Sequence, residues 1–365
     1  MPVLETIRSL LPPPHYLELP SVGVDISDTS LKYIQFKPHG HRPGTFTIAS
    51  YGDLPIEPGT LERGVVKNAD ALAKVLGEVK KRTGTTYVRL SLPEERAYLF
   101  ETEIKKGTPY GEVRGLLEFR LEENVPISPR DAYFDYEIYP LPKRRDVLGV
   151  SVTAYTCETI NSYYELCTKA GVTPLAFEVE AQAIARAAIP RIETAATRLI
   201  VDCGKTRTGI GIVMGGMLMY TSTIDIGGKE LSAALKKQFG EKSEAELTVI
   251  KNTKGLVRTE TGNDAHEALI GTVSAIKGEI AKRIEYWNTR GVGGEDRYVE
   301  EIILCGGSAN LKGFPEYLRE TLGIETTLAN VWQNAFDTGE VVPPIDRAHA
   351  YGYATAIGLA LGNLI

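Results

Sequence analysis

Long apolar runs are missing from this 365-residue sequence, and so are the cysteine patterns of metal sites. No stretch reaches the ~18 uninterrupted apolar residues of a membrane-spanning helix. The start contains Glu5, Arg8 and three consecutive prolines, so we expect neither a signal peptide nor a membrane anchor. The four cysteines show no C-x-x-C spacing, which gives no support for zinc and fits a reducing compartment.

A surplus of positive charge is also missing. The formal net charge of −6 argues against a nucleic-acid partner. The apolar fraction of 43% and the charged fraction of 24% at this length are typical of a globular chain that buries more than one core.

What is present is a repeated segment, found at residues 21–36 and 198–213. In each copy an apolar strand ends at an aspartate, Asp25 or Asp202, and a short polar turn leads into a second apolar strand. Both copies predict a β-hairpin. A further strand follows each hairpin, at residues 45–51 in the first copy and 217–222 in the second. A helical stretch comes next, and then another strand, at residues 87–92 in the first copy and 301–305 in the second. The sequence therefore predicts a duplicated α/β domain.

The repeated turns have the composition of phosphate-binding loops. Small polar residues expose backbone N–H groups and hydroxyls to phosphate oxygens, and a nearby carboxylate can hold a hydrated Mg²⁺ that bridges to the phosphates. Asp25 and Asp202 are therefore the predicted metal ligands. The predicted phosphate-binding residues are Ser27, Thr29, Ser30 and Lys32 in the first hairpin and Gly204, Lys205 and Thr206 in the second.

Three more groups are predicted to complete a nucleotide site. A strand-to-helix turn contains Gly306, Gly307 and Ser308, and an ordinary loop is its alternative reading. A second turn, Gly227, Gly228 and Lys229, opens a helix over residues 231–239. Glu279, Lys282 and Arg283 lie on one face of a helix over residues 272–286, for which a solvated charged face is the alternative.

The order of these motifs resembles that of the actin, heat-shock chaperone and sugar kinase superfamily. The hairpins resemble its two phosphate motifs, and residues 305–309 resemble its adenosine motif. Residues 178–187 and 350–360 resemble its two connecting helices, whose small residues allow a close crossing. The resemblance implies an α/β actin-like ATPase fold of two lobes, with Mg·ATP in the cleft.

The resemblance also implies a catalytic position, Glu178, which matches the acidic residue that orients water in the chaperones. Ser27 departs from the superfamily, which has glycine there. If the turn requires a left-handed backbone, serine strains it by roughly 1 kcal/mol or more. We therefore expect ATP binding with slow or absent hydrolysis.

Residues 94–170 contain the features that distinguish one family of this superfamily from another. A helix with apolar Val113, Leu116, Leu117 and Leu121 precedes an aromatic strand over 133–139, a basic turn and a strand over 147–155. A helix follows, with Ile160, Tyr163, Tyr164 and Cys167 on one face. This pattern resembles the PilM family of type IV pilus assembly, whose nearest relative is FtsA, and both families carry an insert here.

The predicted organisation follows from that resemblance. It consists of an N-terminal extension (1–20), a first lobe (21–93 with 166–195 and 345–365), an inserted FtsA-type subdomain (94–165), a second-lobe base (196–228 with 301–344) and a second-lobe upper subdomain (229–300).

The resemblance implies a cytoplasmic ATP-binding scaffold of a type IV pilus or related secretion platform, held at the inner membrane through partners. Its expected partner is the cytoplasmic tail of a single-span, PilN-like membrane protein. That tail is predicted to lie in a groove between the first lobe and the insert, near Tyr133, Phe134 and Tyr136. An assembly motor ATPase and further copies of the chain are additional candidate partners.

Two alternatives remain open at this point. A small-molecule kinase of the superfamily needs a catalytic aspartate in its first lobe, and residues 87–95 offer no clear candidate. An FtsA-like filament protein carries an amphipathic tail, whereas this sequence stops at residues 362–365.

Overall fold

A computed structural model describes residues 19–38, 46–141, 143–191, 196–258, 262, 264–289, 297–362 and 364. The strands are β1 Val22–Ile26, β2 Ser30–Pro38, β3 Phe46–Pro55, β4 Leu61–Glu62, β5 Val65–Val66, β6 Tyr87–Leu92, β7 Tyr98–Lys105, β8 Ala132–Pro140, β9 Val147–Thr156, β10 Thr173–Val179, β11 Thr197–Cys203, β12 Thr208–Met214, β13 Met217–Ile224, β14 Glu301–Cys305 and β15 Glu325–Leu328. The α-helices are α1 Ala69–Thr83, α2 Tyr110–Asn124, α3 Cys157–Ala170, α4 Glu180–Ala188, α5 Gly228–Phe239, α6 Glu244–Thr253, α7 Asp264–Thr289, α8 Phe314–Leu322, α9 Arg347–Ala350 and α10 Ala354–Leu361.

The chain forms two compact units. The first comprises the described parts of Met1–Pro93, Asn161–Arg191 and Asn330–Ile365, and the second those of Glu94–Ile160 and Ile192–Ala329.

The first unit is built on a five-stranded sheet in the order β10-β6-β1-β2-β3. Strand β1 pairs antiparallel with β2 and parallel with β6, which confirms the first predicted hairpin. Apolar side chains of β1, such as Val22 and Val24, are fully buried. The aspartate at the end of β1 therefore lies where the hydrophobic interior of the sheet stops.

The two predicted connecting segments cross closely within this unit, as α4 and α10. A Cβ added to Gly358 of α10 would lie 1.7 Å from the Ala183 carbonyl oxygen of α4, and one added to Gly23 of β1 would lie 2.1 Å from the Ala356 carbonyl oxygen. The small residues expected here are required by backbone contact.

The second unit repeats the first sheet. Its strand order is β13-β12-β11-β14-β15, with β11 antiparallel to β12 and parallel to β14. Strands β11, β12, β13 and β14 thus take the places that β1, β2, β3 and β6 take in the first unit. The shared order confirms the predicted duplication.

The insert is a three-stranded antiparallel sheet, β7-β9-β8, with helix α2 packed on one face. Val113, Leu117 and Leu121 of α2 are buried as expected, but Leu116 is 48% exposed. In α3, Tyr163 and Cys167 are buried whereas Tyr164 is 57% exposed. Leu116 and Tyr164, which the sequence analysis named together with these residues, thus lie at the surface of their helices.

The insert also contributes to the core of the second unit. Tyr139 and Leu141 lie in the same buried cluster as β11 and β14 residues. Arg297 donates to Glu101 Oε2 at 2.6 Å, and the Tyr139 hydroxyl donates to the same oxygen at 2.5 Å. The Ser151 hydroxyl donates to the Leu218 carbonyl at 3.0 Å. The insert therefore shares side-chain and backbone contacts with the repeated lobe of its unit.

Residues 330–344, expected in the second-lobe base, lie in the first unit. The Phe46 amide donates to the Ala335 carbonyl at 3.3 Å, and Asn334 donates to the Arg186 and Ile189 carbonyls. The Phe336 ring contacts Phe36. This segment, without regular secondary structure, covers the edge of the first sheet with aromatic side chains.

We expect Gly358→Ala to destabilise the protein by about 3 kcal/mol or more, because the added methyl group would force α4 and α10 apart. Gly278→Ala in α7 is the matched control, since its Cβ would meet no heavy atom within 4 Å. That control should gain about 0.5–1 kcal/mol from helix propensity. Urea unfolding midpoints compare the two, and equal stability of both variants would contradict the close crossing.

Candidate functional site

In the first unit, Asp25 ends β1 and is held by Ser91 at the end of the neighbouring β6. The Ser91 hydroxyl donates to Asp25 Oδ1 at 3.0 Å and accepts the Ile26 amide at 3.2 Å. Lys32 is the cross-strand partner of Asp25 and also of Asp53 on β3. One cation therefore lies between two carboxylates, and Ser91 is a site residue that the sequence reasoning missed.

Burial raises the pKa of Asp25 above its ordinary value. The positive charge of Lys32 and the hydrogen bond from Ser91 lower this pKa, while the Asp53 carboxylate raises it. A positive charge next to Asp25 therefore stabilises its ionised form.

The turn after Asp25 is not strained at Ser27. Among the described residues other than glycine, only Arg63 has a positive φ. The Ser27 hydroxyl donates to the Ser30 carbonyl at 2.9 Å and accepts the Ser30 amide at 3.3 Å. The possible strain penalty at Ser27 therefore does not arise, and this hydroxyl closes the turn. Lys32 Nζ donates to the Ser30 hydroxyl at 2.9 Å, while Thr29 accepts the Ile56 amide through its carbonyl.

In the second unit, the loop from Gly204 to Arg207 joins β11 to β12 and is held by the start of α5. The Gly228 amide donates to the Gly204 carbonyl at 3.0 Å, and the Lys229 amide donates to the Lys205 carbonyl at 2.8 Å. The Ser308 hydroxyl adds a bond to the Gly204 carbonyl at 3.1 Å. The first amides of α5 are thus engaged by the loop, whose carbonyls face the helix.

These bonds also explain why Gly227 and Gly228 are glycines. A Cβ at Gly227 would lie 2.7 Å from the Arg207 nitrogen, and one at Gly228 would lie 2.3 Å from the Ser308 hydroxyl. We predicted that both glycines lie close to a nucleotide. At both positions an added Cβ would also meet the chain itself.

Gly306 has the same role beside Asp202. Its φ is +84°, and an added Cβ would lie 2.3 Å from Asp202 Oδ1. Next to it, a Cβ at Gly307 would meet no heavy atom within 4 Å. The Gly-Gly turn therefore makes room for the aspartate with its first glycine and leaves open space with its second.

Two further groups lie near Asp202, the thiol of Cys305 and the carboxylate of Glu94. The Cys305 thiol lies 3.9 Å from Asp202 Oδ1, and burial, followed by the charge of Asp202, raises the pKa of that thiol. Glu94 is 4% exposed, and its Oε2 lies 2.7 Å from the point where a Gly209 Cβ would stand. The sequence reasoning missed Glu94, although a glutamate directly after a strand and a proline was a visible signal.

Glu279, Lys282 and Arg283, here called the α7 triad, lie on one face of α7 as predicted and form ion pairs within that helix. Lys282 Nζ donates to Glu279 Oε1 at 2.7 Å, and Arg283 pairs with the other Glu279 oxygen. Hydrogen bonds from these two cations lower the pKa of Glu279. Lys282 is mostly exposed, so the solvated charged face describes this residue well.

Glu178, the candidate catalytic residue, ends β10 and is held by two arginines. Arg89 donates to Oε1 at 3.2 Å and Arg186 to Oε2 at 2.6 Å, while Arg186 also donates to the Gly358 carbonyl at 2.9 Å. Both carboxylate oxygens are thus engaged at the close crossing of α4 and α10. The carboxylate of Glu178 thus joins β10 to α4 through Arg186 and to β6 through Arg89.

The described residues contain no group of three or more histidine, cysteine or acidic side chains that could hold a metal ion alone. Asp25 and Asp202 belong to different units. Each carboxylate by itself supplies the type of oxygen ligand that Mg²⁺ accepts, and Mg²⁺ usually keeps several waters as further ligands.

In the part of the chain that the structure describes, no helix is both long and apolar enough to cross a membrane. This agrees with the lack of long apolar runs in the sequence.

The protein is similar to several solved structures. A PilM–PilN type IV pilus biogenesis complex matches with a TM-score of 0.74 at 21% identity, covering 95% of this chain and 99% of that one. MreB5 of Spiroplasma citri bound to ADP matches with a TM-score of 0.53 at 13% identity, covering 93% and 94%. The ethanolamine utilization protein EutJ from Carboxydothermus hydrogenoformans matches with a TM-score of 0.51 at 15% identity, covering 96% and 90%. At these identities the similarities show the actin-like fold.

A family model for the type IV pilus assembly protein PilM matches residues 23–364, nearly the whole chain, and with the duplicated sheets and the insert it confirms the expected resemblance. The chain belongs to the PilM family of type IV pilus assembly proteins.

Proposed function

We propose that this chain is an ATP-binding scaffold of the type IV pilus assembly platform. The observation that carries the proposal is the loop from Gly204 to Arg207, which is anchored through its carbonyls to α5 and Ser308. These bonds hold the loop in place before any ligand binds, and a fixed turn of Gly, Lys and Thr has the polar groups that suit phosphate oxygens. Lys205 in the loop and Lys32 in the first unit supply positive charge.

Mg²⁺ is proposed to bind with the nucleotide, near Asp202 and Asp25. When bound, the metal neutralises charge on the phosphates. Asp202 is oriented for this role by Gly306, which leaves its carboxylate room, and Asp25 by the Ser91 hydroxyl. Gly307, Lys229 and the α7 triad are the proposed contacts of the nucleoside side.

We expect Asp202→Ala to weaken Mg·ATP binding at least tenfold, because the variant loses a metal-directed carboxylate. Calorimetry measures the affinity, and thermal unfolding checks the fold. Asp146→Ala is the control, since Asp146 lies in a surface turn of the insert and is 75% exposed.

The double variant Asp25→Ala/Asp202→Ala tests whether both aspartates act on one ligand. Coupled sites give non-additive losses of binding free energy. Unchanged Mg·ATP affinity in Asp202→Ala would contradict the nucleotide assignment.

Hydrolysis is proposed to be slow, and ATP would act by favouring one conformation of the scaffold. The support comes from Glu178, whose two oxygens are engaged by Arg89 and Arg186. A carboxylate in such a cluster stabilises the fold, since its removal leaves two partly buried guanidinium groups without their counter-ion.

We therefore expect Glu178→Gln to lower the free energy of unfolding by about 2–3 kcal/mol and to leave the phosphate release rate unchanged. At saturating Mg·ATP that rate should stay well below about 1 s⁻¹ in both proteins. A variant of normal stability with a lower release rate would instead make Glu178 catalytic.

The partner is proposed to be the cytoplasmic tail of a PilN-like single-span protein of the inner membrane. One of the similar solved structures is a PilM–PilN complex. In this proposal the tail of the partner would hold this chain at the membrane from the cytoplasm. On β8 of the insert, Phe134 and Tyr136 pack against the core formed with α2, whereas Tyr133 is 51% exposed. Tyr133 is thus the candidate contact, and the other two are structural.

We expect Tyr133→Asp to weaken tail binding at least tenfold, because a buried aromatic anchor would become a charge. A peptide copied from the cytoplasmic tail of a PilN-like protein is the probe, and fluorescence anisotropy measures its affinity. Tyr298→Asp is the control at a tyrosine that is 62% exposed. Equal affinities of the two variants would remove Tyr133 from the interface.

A single substitution tests this interface better than deletion of the insert does. Deletion would also remove Tyr139 and Leu141 from the core of the second unit. The kinase and filament alternatives are not favoured, since the PilM family model covers residues 23–364.

A further inference from the structure

The insert begins with a single 3₁₀ turn, Glu94–Arg96, that contacts the second hairpin at two points. Glu95 Oε1 accepts a hydrogen bond from Arg207, the last residue of the loop between β11 and β12. Glu94 lies over Gly209, two residues farther along the chain. The turn therefore contacts the hairpin on both sides of Thr208.

The side chains of Glu95 and Arg207 are only partly exposed, although the backbone of Glu95 faces water. The two side chains are 23% and 15% exposed, so the pair is screened less than the surface pairs of this chain. A charge-assisted bond from a guanidinium is also directional. It can therefore fix where residue 207 lies.

The other braces of this loop belong to the repeated lobe. They are the first amides of α5 and the Ser308 hydroxyl, which hold the loop at Gly204 and Lys205. Glu95 holds the opposite end of the same loop, and it lies at the root of the insert. The ion pair between Glu95 and Arg207 therefore links the root of the insert to this loop.

We propose that Glu95 is a positioning residue of the phosphate loop, acting through Arg207, and that it makes phosphate affinity depend on the insert. The inference rests on the proposed ATP binding. With the pair intact, the loop is ordered before the ligand arrives. Without it, binding must also pay the entropy of fixing residues 205–207.

Gly209 offers an independent test of the same turn. A Cβ at this position would lie 2.7 Å from Glu94 Oε2, the end of a side chain that can move, and 3.5 Å from the Asp202 Cβ. Gly209→Ala thus forces the Glu94 side chain of the turn to move and leaves both side chains of the Glu95–Arg207 pair unchanged. It should also weaken phosphate binding.

The experiment measures Mg·ATP affinity by calorimetry in the full chain. Glu95→Gln and Arg207→Glu should each lose about tenfold, and the swapped double variant Glu95→Arg/Arg207→Glu should recover to within about threefold of wild type. Glu241→Gln is the control, because Glu241 forms an exposed pair with Lys236 in the same unit. Thermal unfolding confirms that each variant is folded.

Strand β7 follows the turn directly, so the hydrogen-exchange rates of its amides report on the turn. If the Glu95–Arg207 pair were only structural, Mg·ATP would not change these rates. Mg·ATP at saturation should slow exchange of β7 amides in the wild type and not in Glu95→Gln, since coupling between two sites is reciprocal.

Each outcome has a definite meaning. Wild-type protein that binds no Mg·ATP would refute the proposed function. Normal Mg·ATP binding with Glu95→Gln equal to Glu241→Gln, or a folded swap variant without recovery, would overturn the role of Glu95 alone.

Discussion

The structure of the candidate site depends on the backbone hydrogen bonds between α5 and the loop from Gly204 to Arg207. Two amides at the helix start satisfy two loop carbonyls, so the loop packs directly against the helix. That approach leaves no room for a Cβ at Gly227 or Gly228. Ser308 adds its hydroxyl to the same carbonyl, which ties the Gly-Gly turn to the loop. Packing of the loop against the helix is therefore enough to require glycine at both positions.

Buried charge determines how the insert joins the second unit. Arg297 is 4% exposed and interacts with Glu101, the Tyr139 hydroxyl and the Trp287 ring. Burial opposes the charge of Arg297, but the bond to Glu101 offsets this, and the pKa of Arg297 is raised. Removing one partner of such a cluster is costly because the others stay buried. The insert is therefore an integral part of the unit that carries Asp202, although it interrupts the chain of the first.

Glu178 and Asp25 show how environment decides the use of a carboxylate. Both end strands of the same sheet, yet Glu178 meets two guanidinium groups and Asp25 meets a hydroxyl and a lysine across the hairpin. The first is satisfied by the protein, whereas burial raises the pKa of the second. Two carboxylates near the ends of strands in one sheet thus have different charge environments, because different elements pack beside them.

The sequence by itself determined the duplication, the hairpins at Asp25 and Asp202, and the strands Tyr87–Leu92 and Glu301–Cys305, because apolar periodicity and turn residues are local signals. The order of the motifs resembles that of the actin superfamily, and this resemblance, together with the pattern of residues 94–170, indicated the family. Tertiary structure alone decided what lies next to each motif: Ser91 beside Asp25, Glu94 over Gly209, two arginines on Glu178, and the backbone that Gly227 contacts. It also decided that Ser27 keeps an ordinary φ and that Leu116 and Tyr164 are exposed. These features join residues far apart in the chain or depend on a few degrees of rotation about a helix axis, and no local pattern records either.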